Sequence, residues 1–248
     1  MSNDDYRAEL RRLDKWEPFL LRESNLPGPR ANLELVWAVA HEGECGRFER
    51  LLVWDADRAP SGSREEFLAV CGTVGLGSLL AAGERKPLAR LRRLASDPRW
   101  RVREGVAMAL QLWGDADMET LLAAMADWSR GSPYEQRAAA AGLCEPRLLR
   151  VKRHAQRVLR LLDAITASIR GRSARGTDDF AALKKGLGYC WSVAVAALPA
   201  EGKRAMEKWL SSPDKNIRWI MRENLKKNRL ARMDPAWVAR AVEQLAGG

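Results

Sequence analysis

Arginine is the residue whose type and spacing point most directly to chemistry in this sequence. In LLRVKRHAQRVLRLLDAITASIR, Arg150, Arg153, Arg157 and Arg160 recur at helical intervals along one ridge. The opposite stripe carries Leu148, Val151, Ala155, Val158, Leu162 and Ile165. Between Arg147 and Arg172 eight Lys/Arg stand against Asp163 alone. A helix face that only has to be wetted usually interleaves Glu at i+4, and this one does not. A second ridge, in IRWIMRENLKKNRLAR, sets Arg218, Arg222, Lys226 and Arg229 in register, with Glu223 opposing seven basic residues from Lys215 to Arg232. Arginine forks grip phosphate bidentately and lysines act as point charges, so two such ridges on one face would line a phosphate-tracking groove. On opposite faces they would be unrelated patches, and a solvated outer surface is the alternative for each.

Trp100 in PRWRVR and Trp219 in IRWIMR stand beside basic residues early in their helices, where an indole could meet a base or sugar. Packing against a preceding helix is the other reading. The remaining tryptophans, among them Trp16, Trp37, Trp54, Trp113, Trp128, Trp191, Trp209 and Trp237, fall in or beside apolar stripes and are expected in the core.

Catalytic signatures are absent from the sequence. No phosphate-binding glycine loop or nucleophile elbow occurs in a strand-to-helix setting, and GTVGLGS at Gly72 to Ser78 lies within a helical pattern, where glycine permits close packing. Cys45, Cys71, Cys144 and Cys190 are widely spaced and form no C-x-x-C pair, which favours buried packing over disulfide or zinc. His41 and Cys45 lie four apart, but nothing nearby completes a dyad. No metal or cofactor is expected.

The elements that must position these residues read as helices nearly throughout, LLVWD at Leu51 to Asp55 being the one brief exception. The expected helices are Asp4 to Arg22, Leu33 to Glu42, Cys45 to Trp54, Ser63 to Ala82, Lys86 to Ala95, Pro98 to Trp113, Ala116 to Ser129, Pro133 to Leu143 and one beginning at Glu145. SDPRWRVREGVAMAL, SPYEQRAAAAGL and SSPDKNIRWIMRENL share one design. Each starts with Ser and Pro near a helix start, places an Arg early (Arg103, Arg137, Arg218), and continues with small or apolar residues at i+3, i+4 and i+7. Ser or Asp satisfies the open N–H groups of the first turn, Pro at N1 loses no bond there, and alanines let neighbours approach. A single hairpin cannot bury its stripe alone, so the copies must stack into a solenoid with a concave face.

Charge is segregated along the 248 residues, whose net charge is +10. Met1 to Leu80 holds 10 Lys/Arg against 14 Asp/Glu, and the remainder 32 against 18. Such polarity suggests a polyanion or an acidic protein surface as partner. No apolar run approaches the roughly 18–20 residues of a membrane span, and Met1 to Arg12 is charged where a signal peptide would be apolar, so a cytoplasmic location is expected.

The pattern D-P-x-W-x-V-R-x-x-x-A-x-A-L at Asp97 to Leu110 resembles the second helix of a HEAT repeat, of the armadillo-like superhelical group. The resemblance covers about Lys86 to Leu230. It implies an all-α, right-handed α-α superhelix, with residues 1–82 as a helical cap and residues 83–248 as HEAT-like repeats carrying the basic surface. In that group the early arginine pairs with an Asp or carbonyl of the adjacent repeat, which would make Arg103, Arg137 and Arg218 structural.

KKGLGYCWSVAVAAL, followed by a capped helix ending ENLKKNRL, is also similar in style to the HEAT-like alkylpurine DNA glycosylases. Those enzymes cradle DNA in a basic channel and use a catalytic Asp among tryptophans. Their Asp-bearing motif has no good copy here, since VWDAD has the wrong spacing and MADWSR the reversed order. The expectation is therefore a noncatalytic binding protein for the phosphate backbone of nucleic acid. A scaffold for an acidic protein and a glycosylase acting on alkylated bases are the alternatives.

Overall fold

The computed structural model describes residues 1–172 and 174–247, and the fold is all-α, with 73% of the chain helical and no strand among the described residues. It divides into two compact units, Met1–Ala116 and Asp117–Gly248. No described helix is long and apolar enough to cross a membrane.

The first unit contains α1 (Asn3–Arg12), α2 (Glu17–Glu23), α3 (Leu33–Glu42), α4 (Cys45–Leu51), α5 (Glu66–Ala81), α6 (Pro87–Leu94) and α7 (Trp100–Ala116). The single helix expected from Asp4 to Arg22 is two. Leu13 turns extended and Pro18 opens a new first turn, while the Trp16 indole donates to the Leu10 carbonyl at 2.9 Å across the break. The apolar α5 is the unit's centre, and of its 16 residues only Ser78 and Ala81 escape burial. Its glycines do what GTVGLGS suggested. A Cβ on Gly77 would sit 2.4 Å from the Ala109 carbonyl oxygen of α7, and one on Gly75 would sit 2.2 Å from the Phe48 ring of α4.

Of the arginines at the start of α7, Arg99 is buried and Arg103 is not. The Arg99 guanidinium pairs with Asp97 at 2.8 Å and donates to the Trp54, Asp55 and Ala59 carbonyls at 2.8, 3.1 and 3.1 Å. Three carbonyls of the loop after α4 thereby gain a donor from the residue just before α7. Arg103 donates to the Asp97 and Pro98 carbonyls at the start of its own helix.

The second unit contains α8 (Met118–Trp128), α9 (Pro133–Leu143), a 3-10 turn (Pro146–Leu149), α10 (Lys152–Ile169), α11 (Asp178–Ala197), α12 (Pro199–Leu210), α13 (Lys215–Leu225), α14 (Asn228–Met233) and α15 (Pro235–Gly247). Sequence-encoded starts are evident. Ser132 forms a capping box with Glu135 ahead of Pro133, Asp117 caps α8, and Asp214 caps α13. The helix expected from Glu145 is divided instead, because Val151 adopts an extended backbone between the 3-10 turn and α10.

Helices α9, α11 and α13 are successive neighbours in one row, and α8, α10 and α12 in a second. Buried polar groups join them. The Trp191 indole of α11 donates to Thr166 Oγ1 of α10 at 3.0 Å. Asn224 of α13 accepts the Ser192 amide at 2.8 Å and donates to the Leu187 and Ile220 carbonyls, both at 2.8 Å. These fully buried bonds hold α13 in one register on α11.

Candidate functional site

Charge separates between the two units. Residues 1–116 contain 18 Lys/Arg and 18 Asp/Glu, and residues 117–248 contain 24 and 14, so the whole net charge of +10 resides in the second unit. All the candidate residues except Trp100 lie there. Trp100 begins α7, is 48% exposed, and stacks under Arg101, 4.5 Å from the ring centre. Arg101 is itself tied to Glu66 and to the Gly28 carbonyl, so this indole rests on an anchored cation.

The first ridge divides among three surroundings. Arg153 and Arg157 of α10 both turn to Glu119 of α8, at 3.1 and 2.6 Å, and His154 Nε2 reaches the same carboxylate at 3.0 Å. The His154 hydrogen bond, helped by the two guanidinium charges, holds the Glu119 carboxyl below its ordinary range. Arg160 is exposed beside a shallow cleft of about 160 Å³ that also presents Asp163, Glu201 and Lys208. Arg150 lies before α10, exposed and without an ion-pair partner among the described residues.

The second ridge also separates. Arg218 donates to the Leu245 carbonyl of α15 at 3.2 Å, a packing role. Lys226, just past the end of α13, pairs with Glu223 of that helix at 2.6 Å. Arg222 is exposed with no partner among the described residues. Arg229 at the start of α14 donates to the Tyr189 hydroxyl, and its guanidinium lies 4.7 Å from that ring's centre.

Where the two ridges meet is an open cleft of about 670 Å³. Arg150 comes from one side and Lys227, Arg229 and Arg232 from the other, over a floor of Leu149, Val193 and Ala197, and its lining contains no carboxylate. Lys227 also lines a second cleft of about 540 Å³, where Lys184, Lys185, Tyr189 and Trp219 gather with Glu223. The Lys184 ammonium is 4.9 Å from the centre of the Trp219 ring. Gly188 allows this closeness, since a Cβ there would be 3.1 Å from Trp219 Cζ3. The structure thus brings Arg150 and Arg229 to one cleft, places Trp219 in the neighbouring cleft that shares Lys227, and leaves Arg153, Arg157, Arg218 and Lys226 occupied with neighbours.

Lys184, Lys185, Tyr189, Lys227 and Arg232 were not singled out by sequence reasoning. A signal for three of them was present in KKGLGYC, where Lys185 and Tyr189 are four apart on a helix whose next turns are apolar. Lys227 and Arg232 flank and end the short α14, where no long period marks a face.

Three of the four cysteines, Cys71, Cys144 and Cys190, are buried and Cys45 is exposed. Burial first, and then the adjacent Cys190 thiol, pushes the Cys144 thiol well up, which suits packing rather than nucleophilic work. Among the described residues no three His, Cys, Asp or Glu side chains converge as a metal site. In comparison with known proteins, no family model matches the chain and no curated protein matches it.

Proposed function

We propose that this chain is a noncatalytic HEAT-like repeat protein whose second unit binds nucleic acid, chiefly through phosphates. The observation that carries the reading is the cleft where Arg150 faces Lys227, Arg229 and Arg232, four cations with no carboxylate among the lining residues. Side chains of one sign do not gather around a concavity for solubility alone, and repulsion among them is relieved by a polyanion. The HEAT-like part is supported by the two rows of successive helices in this unit and by the Ser-Pro starts with early arginines. A right-handed superhelical course of the whole chain belongs to the same proposal.

The test is binding of a fluorescent oligonucleotide over a range of salt. Affinity should fall steeply with salt, and Arg150→Gln and Arg229→Gln should each lower the slope of log K against log salt by about 0.7–0.9. Absence of binding at low salt would sink the reading. Nuclease-resistant recovery of a defined acidic protein would favour the scaffold alternative, and release of free base from alkylated DNA the glycosylase.

A further inference from the structure

The α11–α13 face carries more than charge. Its two clefts meet at Lys227, so one strip begins at Trp219 and Tyr189 and continues past Lys227 and Arg229 to Arg150. Tyr189 is 45% exposed, an unusual position for a ring beside a helix core, and Trp219 is half-buried against Gly188. Cations cover both rings: Lys184 lies over Trp219, and Arg229 and Lys227 over Tyr189. Glu223 is the carboxylate of the strip, and it is engaged by Lys226.

Duplex and single strand would use this surface differently. A duplex offers phosphates outward but keeps its bases stacked, so it meets the cations and not the rings. A single strand can turn bases onto aromatic faces while its backbone follows the charge. An exposed cation–π contact is weaker than a base–aromatic stack, so a base displaces Lys184 from Trp219 favourably, and the freed ammonium moves to the adjacent phosphate. We infer that this strip selects single-stranded nucleic acid, stacking bases on Tyr189 and Trp219 while Lys227, Arg229 and Arg150 follow the backbone. This rests on the nucleic-acid reading above and specifies its substrate class.

The experiment compares the full chain's affinity for labelled dT15, rU15, a 15-residue abasic strand with the same phosphates, and a 15-base-pair duplex. A base-bearing strand should bind at least about tenfold tighter than the abasic strand and the duplex. Tighter binding of dT15 or of rU15 supports the inference equally and names the sugar. Tyr189→Ala should weaken strand binding about five- to hundredfold and narrow the preference over the abasic strand and the duplex. Tyr189→Phe should retain the strand preference. Because Trp219 packs on Gly188, Trp219→Phe accompanies Trp219→Ala, with circular dichroism as the folding control. Equal affinity for all four ligands, with Tyr189→Ala silent, overturns this inference and leaves phosphate binding standing. Failure of every ligand to bind at low salt overturns both.

Discussion

Glu119 and Arg157 meet at 2.6 Å between α8 and α10, and Arg153 shares the same carboxylate at 3.1 Å. Two of the four arginines of the first ridge are therefore already engaged by one carboxylate, which offsets one of their two charges. Glu119→Gln should release both guanidiniums and strengthen polyanion binding severalfold at low salt. Arg153→Gln or Arg157→Gln should weaken it less than Arg150→Gln, whose side chain has no ion-pair partner among the described residues. Fluorescence anisotropy of the four variants at one salt concentration checks the order. Weaker binding by Glu119→Gln would contradict it.

The same carboxylate has a consequence for acid stability. A folded-state value held below the ordinary carboxylate range contributes stability that is present above that range and is lost as pH falls through the folded value. Changing Glu119 to Gln should therefore flatten the decline in stability below about pH 4.5. Thermal melts of wild type and variant from pH 7 to pH 3 measure this, and parallel curves would argue against it.

Asn224 is the polar link between α13 and α11. Asn224→Ala removes the buried side-chain bonds to the Ser192 amide and the Leu187 carbonyl and should cost about 1–3 kcal/mol. Since α13 carries Trp219 and α11 carries Tyr189, strand binding should fall along with the urea midpoint. Tyr189→Ala, by contrast, should leave that midpoint almost unmoved.

Arg99 holds the loop after α4. Arg99→Met breaks the buried pair with Asp97 and takes the guanidinium from the Trp54, Asp55 and Ala59 carbonyls, of which Asp55 keeps the Ala59 amide, and should cost about 3–5 kcal/mol. Arg103→Met removes a half-buried side chain that donates to the Asp97 and Pro98 carbonyls, and should cost less than the loss of the buried Arg99. Denaturant unfolding of the pair distinguishes a buried hub from a capping side chain.

The sequence alone determined the all-α class and several element ends. Leu33–Glu42 and Pro133–Leu143 start where their caps and periodicity require, because Asn32 and Ser132 satisfy the first-turn amides from within a few residues. Helix breaks were less legible. The pause at Leu13 to Trp16 and the extended Val151 lie inside apolar patterns that keep helical spacing across the break.

Only the tertiary structure decided which arginines face a neighbour and which face an open cleft. Arg150, Arg153 and Arg157 have the same residue type and neighbouring positions. Glu119, more than thirty residues away, captures two of them, while Arg229, about eighty away, meets the third across a cleft. Periodicity encodes the face of a helix. The partner across that face comes from a distant part of the chain, and it decides whether a charge is neutralised or left available.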